Sequence, residues 1–306
     1  MNASQALRLL ISVCLVALVL GSVGPSRVGA AFAAAEPGWL VGGFCCSVAS
    51  NLMSAVRWHR LLSWLGVKAP LSGLVLAYWR GIVANSVLPG ATLSGDALRA
   101  LYLHRAGHSL VTAAVSVFLD RLSGLWVLAT ISLTGSAVAL SSGLIPVERI
   151  PFSLPTAIAL ALLALTAPLL LWQLSAKVAQ HLPSKVGALL NIVHTLPRPF
   201  AQYAAQIGWS GLVQLASILA FACGGWGIGL ELPFWQFLIA SGPIFIVAAL
   251  PVTVGGWGTR EAASALVLGA LGAPQEFAVG TAVLYGMFAT VLGVLGALTL
   301  TKRAST

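Results

Sequence analysis

Charge is what this sequence lacks most. Of its 306 residues only 8% are Asp, Glu, Lys or Arg, against about 25% in a soluble domain. With 58% hydrophobic residues and a mean hydropathy of +0.96, it cannot cover a water-facing surface. Acidic residues are the scarcest, 7 against 16 Lys and Arg. The resulting net charge of +9 is not arranged as a basic patch with interleaved aromatics, which excludes nucleic acid as a partner. Four cysteines (Cys14, Cys45, Cys46 and Cys223) lie in apolar stretches and read as small buried side chains. The five histidines are scattered without a metal-ligand spacing, so no metal is expected. No nucleotide-binding motif and no nucleophile–base constellation appears, so neither a cofactor nor a catalytic residue is assigned.

What is present is a succession of apolar runs, many close to the roughly 20 residues that span a bilayer as a helix. The fold class is therefore all-α and polytopic. Residues 1–306 form a single integral membrane domain, with 1–37 as a first transmembrane helix and external connection. The N-terminal tract fits a cleaved secretory signal or a first span with Arg8 inside. A multispanning protein needs no cleaved signal, which favours the span.

Lys and Arg between the runs set the orientation. A second span, Trp39 to Val56, ends in "RWHR", where Arg57 and Arg60 read as snorkelling to lipid phosphates. The following segment, from Leu71 to Gly107, would put Arg99 and Arg105 outside if it crossed completely. Read as a hairpin entering from the cytoplasm, it keeps them inside. Further spans run over Ser109 to Thr134, Phe152 to Leu174, Tyr203 to Gly227 and Phe277 to Leu300. A cytoplasmic connection holds Lys177, Lys185 and Arg198, with room for an amphipathic helix. Between the last two spans, Phe234 to Leu250 and Glu261 to Ala273 form a second hairpin, entering from the external side. The expected architecture is about six full crossings plus two broken or re-entrant hairpins. Both termini are cytoplasmic, and Arg27 and Arg149 are the external exceptions.

The two breaks resemble each other: "LPGATLSGDALR" from Leu88 and "LPVTVGGWGTRE" from Leu250. Each has Leu-Pro, a linker, glycine after it and then an arginine. Entering from opposite sides, they suggest an inverted pseudo-repeat of the kind that places a ligand site where broken helices meet. Non-helical backbone in the bilayer core must be buried in protein or line a cavity. Pro89 and Pro251 interrupt helical hydrogen bonding, while Gly95, Gly256 and Gly258 let the chain turn or approach a ligand. Arg99 and Arg260 beside the breaks suit a phosphate or carboxylate. Asp96 and Glu261 neutralise these arginines, or hold them for a ligand. Asp120 and Arg121 sit mid-span and must face protein or a wet cavity. Successive helical residues diverge, so their partners lie elsewhere, with Arg99 and Glu261 eligible by charge. Asn85 is placed to satisfy freed backbone groups, and Trp257 to cover an acyl chain or close its hairpin.

Together, "VRW" at Val56, "NSVLPGATLSGDALR" at Asn85, "DR" at Asp120 and "LPVTVGGWGTRE" at Leu250 resemble the lysylphosphatidylglycerol synthase transmembrane-region family, also called flippase-like domains. The likeness covers about residues 38–300. The family pattern of proline, linker and Gly-x-Gly-x-Arg-Glu is matched at Pro251, Gly256, Gly258, Arg260 and Glu261. The first motif is matched at Asn85, Pro89, Gly95, Asp96 and Arg99. The family's usual Glu-Arg pair is Asp120–Arg121 here. The resemblance implies lipid transport in a bacterial cytoplasmic membrane, with an anionic phospholipid, polyprenyl-phosphate or glycolipid headgroup as partner. Fused synthases carry a separate soluble aminoacyltransferase domain, and the chain stops six residues after Leu300, so aminoacyl transfer is not expected from it. Two alternatives stay open: a membrane enzyme acting on a lipid phosphate, and a lipid-binding partner subunit of a separate synthase. A homodimer is compatible with either.

Overall fold

The computed structural model describes residues 3–87, 93–146, 151–179 and 198–301. Among these every regular element is a helix: α1 (Ala3–Val23), α2 (Pro25–Ala33), α3 (Pro37–Trp64), α4 (Leu71–Val87), α5 (Leu93–Arg105), α6 (Leu110–Ser141), α7 (Leu154–Ala179), α8 (Pro199–Gly227), α9 (Phe234–Ala249), α10 (Thr259–Ala270) and α11 (Gln275–Thr301). In hydrocarbon a backbone satisfies its own polar groups only in a helix or a closed barrel, which is why so apolar a chain adopts this class. Five helices (α3, α6, α7, α8 and α11) are long and apolar enough to cross a membrane. A sixth candidate is the pair α1–α2, bent by 82°. The bend falls where Gly24 takes φ 94° and Pro25 starts the new helix. The tract expected to be only a connection thus contains a helix.

The chain folds as two four-helix units of matching lengths. In α3–α6 two long helices flank the short pair α4/α5; in α8–α11 they flank α9/α10. Two apolar cores form, the second of which also takes in Leu128 and Ala139 of α6. Trp58, Leu62, Leu74 and Leu103 build the first; Phe221, Phe237, Ile244 and Leu268 build the second. Packing between units is reciprocal, with α6 against α9 and α11 against α4.

The central seam, α3 against α8, runs antiparallel. Along it Trp39 meets Trp226, Ser50 meets Ser217 and Arg57 meets Ser210, so partners descend along α8 as they ascend along α3. The two units are therefore inverted relative to each other, and their hairpins enter from opposite ends. Small residues make the seam close: Ser50 Oγ lies 2.6 Å from Ser217 Oγ and donates to the Val213 carbonyl at 3.2 Å. Outside these units, α7 lies mainly on α6, leaving Leu162 and Leu163 exposed, and α1 rests on α10. Cys14 and Cys45 are exposed rather than buried, since α1 and α3 each turn an apolar face outward. The proposed amphipathic segment, with Lys185, lies outside the described residues, as does Arg149.

Candidate functional site

Asp120 is fully buried in mid-α6, where an unpaired carboxylate would cost several kcal/mol. Two arginines from different elements neutralise it. Arg57 Nε on α3 donates to Oδ1 at 2.9 Å, and Arg99 Nη2 on α5 donates to Oδ2 at 2.6 Å. Arg57 Nη1 also donates to Ser210 Oγ on α8 at 3.1 Å. Glycine at 124 makes room for that guanidinium, since a Cβ there would lie 3.1 Å from Nη1. Arg99 is held flat between Trp58 and Tyr78, each ring centroid 4.2 Å from its Cζ. Trp58 Nε1 is itself fixed by donating to Ser116 Oγ at 3.2 Å. Arg99 keeps one buried donor, Nε, without an acceptor among the described residues.

Asp96 stands one turn before Arg99 and links it to Arg121. Arg99 Nη1 is 3.5 Å from Asp96 Oδ1, and Arg121 Nε donates to Asp96 Oδ2. These two residues are less deeply held, with side-chain exposures of 15% for Asp96 and 31% for Arg121. On the opposite hairpin, Arg260 binds its neighbour Glu261: Nη2 donates to Oε1 at 2.6 Å and Nε at 3.2 Å. Glu261 Oε2 accepts from the Gly258 N–H at 2.5 Å, capping the start of α10. The Trp257 ring lies 4.9 Å from Arg260 Cζ. From α11, Gly286 admits Arg260, because a Cβ there would lie 2.0 Å from Nη2.

The second break approaches the end of α4. Asn85 Oδ1 at the end of α4 accepts from the Gly95 N–H of α5 at 2.7 Å, satisfying backbone freed by the break. A Cβ built on Gly255 of the second break would lie 3.4 Å from the Asn85 carbonyl of the first. Beside this meeting point is a cavity of about 350 Å³. Of the residues singled out from sequence, Asn85, Gly95, Asp96, Arg99, Asp120, Arg121, Trp257 and Arg260 line it. Glu261 stands behind Arg260 as its counter-ion. Pro251, Gly256 and Gly258 lie away from the cavity and shape the turn. Gly256 takes φ 75°, and Gly258, at φ 89°, lets the backbone approach α1, where a Cβ would meet Leu15 at 2.5 Å. Pro89 lies outside the described residues.

Two sequence expectations change. Arg57 does not snorkel: it is 3% exposed and joins the site, because α3 continues as a helix beyond the apolar run. Arg121 takes Asp96 as partner rather than Glu261, which its own neighbour engages. Sequence reasoning also missed Tyr78, Gln214, Ser217 and Tyr285, all on the cavity wall. A signal was available in the polar stripes Ser47–Ser50–Ser54–Arg57 on α3 and Gln206–Ser210–Gln214 on α8. Both repeat at helical spacing within otherwise apolar runs.

The arrangement offers an anion oriented guanidinium groups in a low-dielectric cavity, and offers a cation only carboxylates already engaged by arginine. Comparison with known families matches residues 5–297 to the lysylphosphatidylglycerol synthase TM region. No curated protein matches the chain.

Proposed function

The chain belongs to the lysylphosphatidylglycerol synthase transmembrane-region family, and from that premise we propose that it moves anionic lipids between the leaflets of a bacterial cytoplasmic membrane. A multi-pass membrane protein of this family has a lipid-related role. What favours translocation is one observation: two inverted broken hairpins meet at a cavity lined by Arg57, Arg99, Arg121 and Arg260. The headgroup enters the cavity and exchanges for carboxylate contacts on the arginines, while acyl chains stay in lipid. The bias of Lys and Arg towards the cytoplasmic side favours cytoplasmic termini. Oppositely inserted half-helices let either end of the cavity open while the other stays closed.

The fact that each of the four arginines already has a carboxylate partner favours a second reading, a subunit that holds lipid for a separate synthase. Vesicles separate the two. Purified protein is reconstituted with a phosphatidylglycerol carrying a fluorophore on its acyl chain, and a membrane-impermeant quencher reports the outer leaflet. Translocation predicts that the quenched fraction passes well beyond the outer-leaflet share, and that Arg260→Gln removes the excess. A quenched fraction equal to that of protein-free vesicles would leave the subunit reading standing.

A further inference from the structure

A second cavity, of about 510 Å³, lies away from the arginines. Trp126 and Val138 on α6, Leu165 on α7, Gly211 on α8, and Trp235 and Leu238 on α9 wall it. No described charged residue reaches it. The α6–α8 contact divides it from the arginine cavity, with Gln214 Nε2 donating to the Gly124 carbonyl at 2.9 Å. The space is a groove rather than a closed void, because α7 packs along α6 and barely touches α8. One point ties α7 to both helices. Pro168 lacks an N–H, so the Ala164 carbonyl one turn earlier loses its helical donor. Trp126 Nε1 donates to that carbonyl, and Tyr203 OH donates to the next one, of Leu165. With its ring 5.2 Å from that of Tyr203, Trp126 marks the inner end of the groove.

The dimensions select what can occupy it. From Trp126 to Val138 the groove follows about 18 Å of α6, at about 1.5 Å per residue. Trp126 stands at the middle of that helix, so the groove runs from mid-span towards its C-terminal end. That is close to the depth of one leaflet, half of a hydrocarbon core roughly 30 Å thick. Over this length the volume leaves a cross-section of roughly 30 Å², far below that of a helix about 10–12 Å across. Neither a second copy nor a partner helix fits. Water does not fill so apolar a space, and left empty it forfeits the contacts its walls would make. From this we infer that the groove binds a single acyl chain of a membrane phospholipid, taken up from the leaflet at the C-terminal end of α6. It is a second site, separate from the arginine cavity and indifferent to headgroup charge. A chain much longer than one leaflet would project beyond it. Gly211 keeps the wall low: a Cβ there would meet nothing within 4 Å, so a larger side chain extends into the groove rather than into protein.

The test uses phosphatidylcholine with a photoreactive diazirine in mid-chain, mixed into phosphatidylcholine vesicles that hold the full-length protein. After irradiation, mass spectrometry locates the peptides that carry lipid. Wild type is expected to be labelled on α9 around Trp235 and Leu238 more than on the exposed Leu162 and Leu163 of α7, which report bulk lipid. Gly211→Leu should lower the α9 labelling by about tenfold, as a loss of about 1.4 kcal/mol in binding would, and leave α7 unchanged. Leu215→Trp, at a wall position 43% exposed, should do the same and decides the matter if the first variant fails to fold. Labelling of α9 no greater than that of α7, or unchanged in the variants, would overturn the inference. So would labelling of α9 by phosphatidylglycerol but not by phosphatidylcholine, which would tie the chain to the arginine cavity. A photoreactive polyprenyl phosphate that labels α9 in preference to phosphatidylcholine would overturn the assignment to an acyl chain. Lipid movement is measured separately by the quenching assay, so the two readings stand or fall apart.

Discussion

Asp120 is the residue on which the site turns. Two guanidinium groups converge on it in a fully buried position, so neutralising it leaves Arg57 and Arg99 without a full counter-ion. Removing one member of a buried ion pair typically costs about 3–5 kcal/mol. Asp120→Asn is expected to destabilise the protein by that order, seen as a lower unfolding temperature in detergent. Arg121→Gln, at 31% exposure, should shift unfolding far less. Gly286→Ala acts on the buried pair of the second hairpin. Its Cβ would collide with Arg260 Nη2, so Arg260 must leave its place. The expected result is loss of lipid movement together with a lower unfolding temperature, because Glu261 is left buried without its guanidinium partner. At this scale the sequence was informative where a charge interrupts an apolar run, as at Asp120–Arg121. It misled at Arg57, which stands beside Arg60 at the end of such a run. Charge position alone does not separate a boundary arginine from a buried one; the serines one and two turns earlier on α3 do.

Among elements, the broken hairpins depend on how closely their arms approach. A Cβ on Gly95 would lie 2.4 Å from the Gly81 carbonyl, backbone against backbone, so no flexible side chain can give way. Overpacking of this kind costs about 1–3 kcal/mol. Gly95→Ala should therefore spread α4 from α5 and weaken the Asn85–Gly95 bond at the tip. Hydrogen exchange should report faster exchange over α4 and α5 than in wild type, with α9 and α10 unchanged. The second hairpin leans on α1, where Ser12 Oγ accepts from the Val254 N–H at 2.7 Å. Hairpin existence was readable from Leu-Pro and the glycines, because proline stops a helix and glycine permits the turn. The role of α1 as a prop for the second break was not readable. It arises from a contact between residues more than two hundred positions apart.

At the scale of the whole molecule, the inverted pairing of units follows from antiparallel α3 and α8. The charge bias of the loops had already placed the hairpins on opposite faces. Hydropathy marks the apolar helices long enough to cross a membrane, which is why the spans were legible. Which helices touch was not, since apolar faces in lipid carry little information about partners. Inversion predicts sidedness. Single cysteines at the outer ends of the hairpins, near Pro70 and near Leu232, should react with an impermeant thiol reagent from opposite sides of the membrane. Reaction of both from one side would refute the inverted arrangement.

The most direct measurement is a structure of the protein in a bilayer containing phosphatidylglycerol. Phosphate density is predicted between Asn85 and Trp257, within hydrogen-bonding distance of Arg99 or Arg260. A cavity closed and dry there, with all four arginines held only by Asp96, Asp120 and Glu261, would contradict a headgroup site at the meeting of the two breaks.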